Sequence, residues 1–157
     1  MSHPARHWQV DLAGLHRAVQ AWGVQLTALQ LKHLWVNLEG DLGAGKTTLM
    51  QQLIGALGVP GRIKSPTYPL VETYTLPWTE LHHMDWYRLQ DVRELDALGV
   101  REWLGHAWVF VEWASRFPSV SQHADLTLCL HGSGSHRRID FTPHTELGVR
   151  ICPQTNA

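Results

Sequence analysis

The sequence predicts an α/β domain of the P-loop NTPase type. It should have three layers around a central mixed, mainly parallel sheet, with a C-terminal hairpin. Three observations carry that expectation. A glycine-rich loop, Gly40 to Thr47, stands between a strand candidate and a helix candidate. The run Ala107-Trp108-Val109-Phe110-Val111 is continuously apolar, as a strand buried on both faces should be. Strand and helix patterns mix along the chain, with the longest apolar runs inside, which is the order of a layered domain.

The elements follow in chain order. Asp11 is placed to cap a first helix, in which Leu12, Leu15, Val19 and Trp22 recur at helical spacing. Leu34-Trp35-Val36-Asn37-Leu38 reads as a strand leading into the glycine loop. Lys46 to Leu57 reads as a helix with Leu49, Leu53 and Leu57 on one stripe, stopped by Gly58 and Pro60. Tyr68 to Leu76 reads as extended and Leu81 to Tyr87 as a strand. Asp91 and Glu94 form a D-x-x-E start signal for a short helix ending near Gly99. Leu126 to Leu130 and Arg138 to Phe141 pair as a hairpin around Gly132-Ser133-Gly134. The whole chain, 1–157, reads as one P-loop domain with an ordered core from about residue 8 to residue 152.

Bulk properties exclude several function classes. A chain of 157 residues buries roughly 68–70% of its unfolded surface without cross-links. The net charge of −1 argues against gripping nucleic acid through a broad basic surface. The two cysteines, Cys129 and Cys152, have no metal-ligand spacing, so reduced thiols in a cytoplasmic protein are expected. MSHPARHWQVD lacks the apolar run of a signal peptide, and no 18-residue apolar segment exists, so no membrane partner is expected. The pair His82-His83 reads as strand rather than as metal ligands. Among the eight tryptophans, Trp8, Trp22, Trp35 and Trp108 sit in apolar patterns and read as core. Trp78, Trp86, Trp103 and Trp113 leave packing and an exposed interface both open.

The chemistry starts at the loop. Gly40, four residues, then Gly45-Lys46-Thr47 matches G-x-x-x-x-G-K-[ST]. Its glycines allow the backbone to curl with N–H groups inward, because no Cβ blocks unusual φ values. Those amides and the following helix N-terminus make an anion site. Lys46 would reach the β- and γ-phosphates, and Thr47 would offer its hydroxyl to Mg²⁺. The bland alternative is a strand-to-helix turn with an incidental lysine. Two acids end neighbouring strand candidates, Asp85 after Leu81 to Met84 and Glu112 after Val111. Both belong at the ligand edge of an open sheet, one to hold the metal and one to orient water, unless one is a surface ion-pair partner. Between them and the loop helix lies KSPTYPLVETY, stiffened by Pro66 and Pro69. Thr67 there is either a sensor of the γ-phosphate and metal or part of an ordinary turn.

Four stretches in order, LEGDLGAGKTTL, SPTYPLVETY, HMDWYRL and VEWASR, closely resemble the bacterial TsaE (YjeE) family, the ATPase of tRNA threonylcarbamoyladenosine biosynthesis. The resemblance spans roughly Leu38 to Arg116. A P-loop alone is generic. The ordered set with His83, Asp85, Tyr87 and Arg88, then Val111, Glu112 and Trp113, is specific. The resemblance implies that Gly43, Ala44, Gly45, Lys46, Thr47 and Thr48 bind ATP. It implies Thr47 and Glu112 as Mg²⁺ ligands, Asp85 as the acid supporting hydrolysis, Thr67 in a switch loop and Trp113 beside the metal. It also implies action on the TsaB–TsaD complex, which modifies the adenosine beside the anticodon, so tRNA would be met only through that complex. The family's Gly-x-Gly-Arg hairpin turn is altered here, because Ser135-His136 separates Gly134 from Arg137-Arg138, which leaves the arginines' roles open. Tyr68 stands where the family often has Phe, and Ser115 where it often has an acid.

Three rivals remain at this level. A small-molecule kinase would need an acceptor pocket and an arginine-bearing lid. A GTPase-like regulator would need an N-K-x-D segment, which the chain lacks. A pure interaction module would have no reason to keep Lys46, Thr47, Asp85 and Glu112 together.

Overall fold

A computed structural model describes residues 6–61, 63 and 70–154. Thr67, Pro66, Tyr68 and Pro69 lie outside the described residues. The elements are β1 (Arg6–Asp11), α1 (Leu12–Leu29), β2 (Leu34–Gly40), α2 (Lys46–Ala56), β3 (Val71–Thr75) and β4 (Glu80–Asp85), then α3 (Arg93–Leu98), β5 (Trp108–Glu112), α4 (Pro118–Ser121), β6 (Leu126–His131), β7 (His136–Pro143) and α5 (Glu146–Ile151).

The strands form one mixed sheet in the order β1-β7-β6-β2-β5-β4-β3. Its middle is parallel: β6, β2, β5 and β4 run side by side in one direction. Antiparallel pairs flank it, β6 with β7 and β7 with β1 on one side and β4 with β3 on the other. β2 therefore has parallel neighbours on both sides, and the loop that follows it opens at the carboxyl end of the parallel strands. That edge is where open α/β sheets bind ligands.

Apolar side chains fill both faces of β5. Trp108 and Phe110 join the core under α1 and α2, with Val19, Trp22, Leu38, Leu49 and Leu53. Val109 and Val111 join a second core with Trp35, Met84, Trp86, Leu95 and Val120, covered by α3 and α4. This two-sided burial is why the run from Trp108 to Val111 shows no polar alternation. Trp8, Trp22, Trp35 and Trp108 are all buried, as expected for core. Trp86 is also fully buried, whereas Trp78, Trp103 and Trp113 are half-buried.

Local signals explain most element ends. The Asp11 carboxylate accepts the Gly14 N–H at 2.7 Å and caps α1. Glu94 Oε2 accepts the Asp91 N–H at 3.2 Å, half of a capping box, although α3 itself begins at Arg93. His82 stacks on Trp103 with ring centroids 3.8 Å apart, and its Nδ1 lies 2.9 Å from Thr73 Oγ1. Burial lowers the pKa of this imidazole, against the opposing pull of Glu80. His82 is thus a packing residue of β4, as the strand reading has it.

Three short elements, β1, α4 and α5, were not legible from the sequence. β1 pairs with β7 and buries only Trp8 and Val10, and α5 is a six-residue helix capped by Thr145. α5 packs tightly against the start of β6. A Cβ on Gly148 would come within 1.8 Å of the Asp125 carbonyl oxygen, which also accepts the His144 N–H at 2.8 Å. Gly148→Ala is expected to destabilise the fold by about 3 kcal/mol in equilibrium urea unfolding, since backbone must shift to admit the methyl group. A loss under about 0.5 kcal/mol would show that α5 floats free of this contact.

Candidate functional site

The site begins where β2 runs out. Gly40 has φ +142°, and a Cβ there would meet the Leu130 carbonyl oxygen at 2.6 Å. Only glycine lets the chain leave β2 this close to β6. Gly43 and Gly45 also hold positive φ, at 81° and 101°, which turns the loop back into the start of α2. The first turn of α2 carries no acidic residue, so nothing there opposes an anion at its N-terminus.

Lys46 is buried under this loop. Its Nζ donates to the Gly40 and Asp41 carbonyl oxygens at 2.5 and 3.0 Å. The ammonium also lies 4.4 Å from the centre of the Trp113 ring. Trp113 reaches that position because it holds φ +59°, a left-handed conformation rare for a bulky residue. Its N–H donates to the Leu38 carbonyl at 3.2 Å, which fixes the turn just after β5. The Tyr87 ring also packs against it, with centroids 4.9 Å apart.

The two acids are register partners at the carboxyl ends of β4 and β5, Asp85 opposite Glu112. Glu112 is buried, 2% exposed, and both of its oxygens are engaged. Thr47 Oγ1 donates to Oε1 at 2.8 Å, and His83 Nε2 meets Oε2 at 2.7 Å. Asp85 is half-buried and accepts the Tyr87 N–H at 2.9 Å. Burial pushes the Asp85 carboxyl above the usual range, and the Glu112 charge adds to the rise. The Tyr87 N–H and the Arg88 charge pull the other way.

Gly43, Gly45, Lys46, Thr47, Thr48, Asp85, Glu112, Trp113 and Arg137 line one cleft of about 290 Å³. Ala44 is buried behind it and offers its carbonyl to Arg137 Nε at 3.1 Å. The arginine pair is therefore split. Arg137 faces the loop, whereas Arg138 bonds Asp140 at 3.1 Å. His83 and Arg137 are the contributors that reading the sequence did not assign. A usable signal existed for His83: it stands two residues before Asp85 in one strand, and residues i and i+2 share a face.

The donor set suits a hard cation. A buried carboxylate and a threonine hydroxyl, beside a cradle for phosphate, give the few oxygen ligands that Mg²⁺ takes from protein when phosphates supply others. Among the described residues no cluster of three or more His, Cys, Asp or Glu side chains could hold a metal alone. Among those residues, too, no helix is long and apolar enough to cross a membrane.

Comparison with known proteins shows the family and the fold. The family model for threonylcarbamoyl adenosine biosynthesis protein TsaE matches residues 15–139. The chain is 36% identical over 121 residues to the tRNA threonylcarbamoyladenosine biosynthesis protein TsaE of Haemophilus influenzae, covering 76% of this chain and 77% of that one. It is 36% identical over 109 residues to the protein of the same description from Bacillus subtilis, covering 68% of each. In fold it resembles the crystal structure of Bacillus subtilis YdiB, with a TM-score of 0.64 and 23% identity over 96% of this chain and 95% of that one. The glycine loop, the paired strand-end acids and these matches together place the chain in the TsaE family.

Proposed function

We propose that the chain binds and hydrolyses ATP with Mg²⁺ in the service of tRNA threonylcarbamoyladenosine biosynthesis. It would act on the TsaB–TsaD complex rather than on tRNA itself. The observation that carries the chemistry is the 2.8 Å contact between Thr47 Oγ1 and Glu112 Oε1 at the foot of the glycine loop. It pairs the P-loop hydroxyl with a strand-end carboxylate, the two protein groups that hold Mg²⁺ in P-loop NTPases. Mg²⁺ held by Thr47 and Glu112 would offset the negative charge of the phosphates.

The residues divide the work. The loop amides of Gly43 to Thr48 hold the phosphates, and Lys46 leaves its carbonyl partners to face them. Asp85 stands beside Glu112 with a raised pKa, which suits a group that orients or accepts a proton from water. Arg137, already tethered to the loop at Ala44, adds positive charge at the hairpin side. Trp113 walls the cleft beside the metal. Thr67 is proposed as the switch threonine. A cytoplasmic location follows from a partner complex that acts on tRNA.

Phosphate release should be measured for the chain alone, with the TsaB and TsaD proteins, and with tRNA added. Slow turnover alone, stimulated by the partners and abolished by EDTA, is expected. Turnover indifferent to the partners would refute action on that complex, and stoichiometric transfer to a small-molecule acceptor would favour a kinase instead. Glu112→Gln is expected to raise the Mg²⁺ requirement of nucleotide binding roughly 10–100-fold, the weight of one charge-assisted contact of about 1.5–3 kcal/mol. Binding in EDTA should stay within about twofold, well under the 1.4 kcal/mol of a tenfold change. Equal losses with and without the metal would make Glu112 a structural residue.

A further inference from the structure

We propose that His83 is a positioning residue for the metal carboxylate, aiming Glu112 at the cation through a hydrogen bond. The inference rests on the reading of Glu112 as a Mg²⁺ ligand. His83 is fully buried on β4, and its Nε2 lies 2.7 Å from Glu112 Oε2. The register of β4 on β5 pairs His83 with Phe110 and Asp85 with Glu112, so the imidazole crosses diagonally to the carboxylate. The geometry fixes the direction of the bond. A bare Nε2 would set a lone pair against a carboxylate oxygen. The other ring nitrogen, Nδ1, is buried with no hydrogen-bond partner among the described residues, so a proton placed there would find no acceptor among them. Nε2–H therefore donates to Oε2.

The consequence concerns the other oxygen. A glutamate has three side-chain torsions and a terminal carboxylate that swings broadly. With Oε2 held by His83, Oε1 is turned to Thr47, the second proposed ligand, 2.8 Å away. His83 thus selects one carboxylate orientation before metal and nucleotide arrive. Among the described residues the ring makes only this one hydrogen bond. Partners behind a metal ligand typically change metal affinity by about 10–100-fold when removed.

The test uses the full chain and a fluorescent ATP analogue, titrated with Mg²⁺ and separately in EDTA. His83→Leu keeps the bulk and removes the donor. His83→Gln restores an N–H at about the reach of Nε2. Glu112→Gln is the reference, and thermal melts accompany each variant. His83→Leu is expected to raise the half-saturating Mg²⁺ concentration about 10-fold, the low end for such partners, with EDTA binding within twofold. His83→Gln is expected to recover most of that shift. Placing Leu on top of Glu112→Gln should add little, because His83 acts through that carboxylate. A wild-type Mg²⁺ requirement in His83→Leu, with Glu112→Gln strongly shifted, overturns this inference alone. No shift in Glu112→Gln overturns the metal reading and this inference with it. If His83→Leu does not fold, the Gln variant decides: a near-native Mg²⁺ requirement supports the donor role, and a 10-fold shift in a folded protein refutes it.

Discussion

Lys46→Ala is expected to weaken ATP binding about 100-fold. The size follows from what the ammonium does. It is 5% exposed, beneath the loop, and held by the Gly40 and Asp41 carbonyls and the Trp113 ring. Nucleotide must draw it to the phosphates, where each charge-assisted hydrogen bond contributes about 1.5–3 kcal/mol. Part of that gain offsets the carbonyl contacts given up, so a net near 3 kcal/mol is expected, and 1.4 kcal/mol is tenfold in affinity. Lys46→Arg should not rescue, because a planar fork replaces a compact point charge in a buried seat. Calorimetric titration of ATP into wild type and both variants measures the difference. An affinity for Lys46→Ala within threefold of wild type would remove Lys46 from the phosphate site.

The contrast between what could and could not be read in the chain has a physical basis. The glycine loop was legible because its constraint is local: positive φ at Gly40, Gly43 and Gly45 demands those residues at those offsets. β5 was legible because burial on both faces removes every polar residue from Trp108 to Val111. β1 was not, because six residues with two buried side chains carry little pattern, and the partner β7 lies some 130 positions away in sequence. α5 is too short to show a helical period. In the site, Thr47, Asp85 and Glu112 announced themselves by motif and strand-end position. For His83 the spacing to Asp85 gave its face of the strand, but not its role, because its partner Glu112 lies across a strand pairing. The arginines waited on the hairpin register. Once Arg138 is set opposite His131, alternation along β7 sends Arg137 to the opposite side, toward the loop. Trp86 likewise became core only when α4 and the Phe117 ring closed over it, with ring centroids 5.9 Å apart.

Trp22→Ala should be the most damaging substitution to stability, lowering it by about 4 kcal/mol. Trp22 joins four elements at one point. It lies on α1, its ring makes T-shaped contacts with Trp8 of β1 and Phe141 of β7, centroids 6.2 and 5.8 Å apart, and its Nε1–H donates to the Ile151 carbonyl of α5 at 2.8 Å. Trp8 and Phe141 also pack together, at 4.7 Å, so truncation leaves a cavity walled by two rigid rings that cannot collapse into it. At roughly 2–4 °C per kcal/mol for a chain of this size, the melting temperature should fall by about 10 °C. Trp22→Phe separates the two contributions. It fills most of the space but leaves the Ile151 oxygen without its donor, a penalty of about 1–3 kcal/mol. A Phe variant as unstable as the Ala variant would mean that the hydrogen bond to α5, rather than the aromatic trio, holds this corner. An Ala variant within 1 kcal/mol of wild type would mean that α1 and the β1–β7 pair are held together elsewhere.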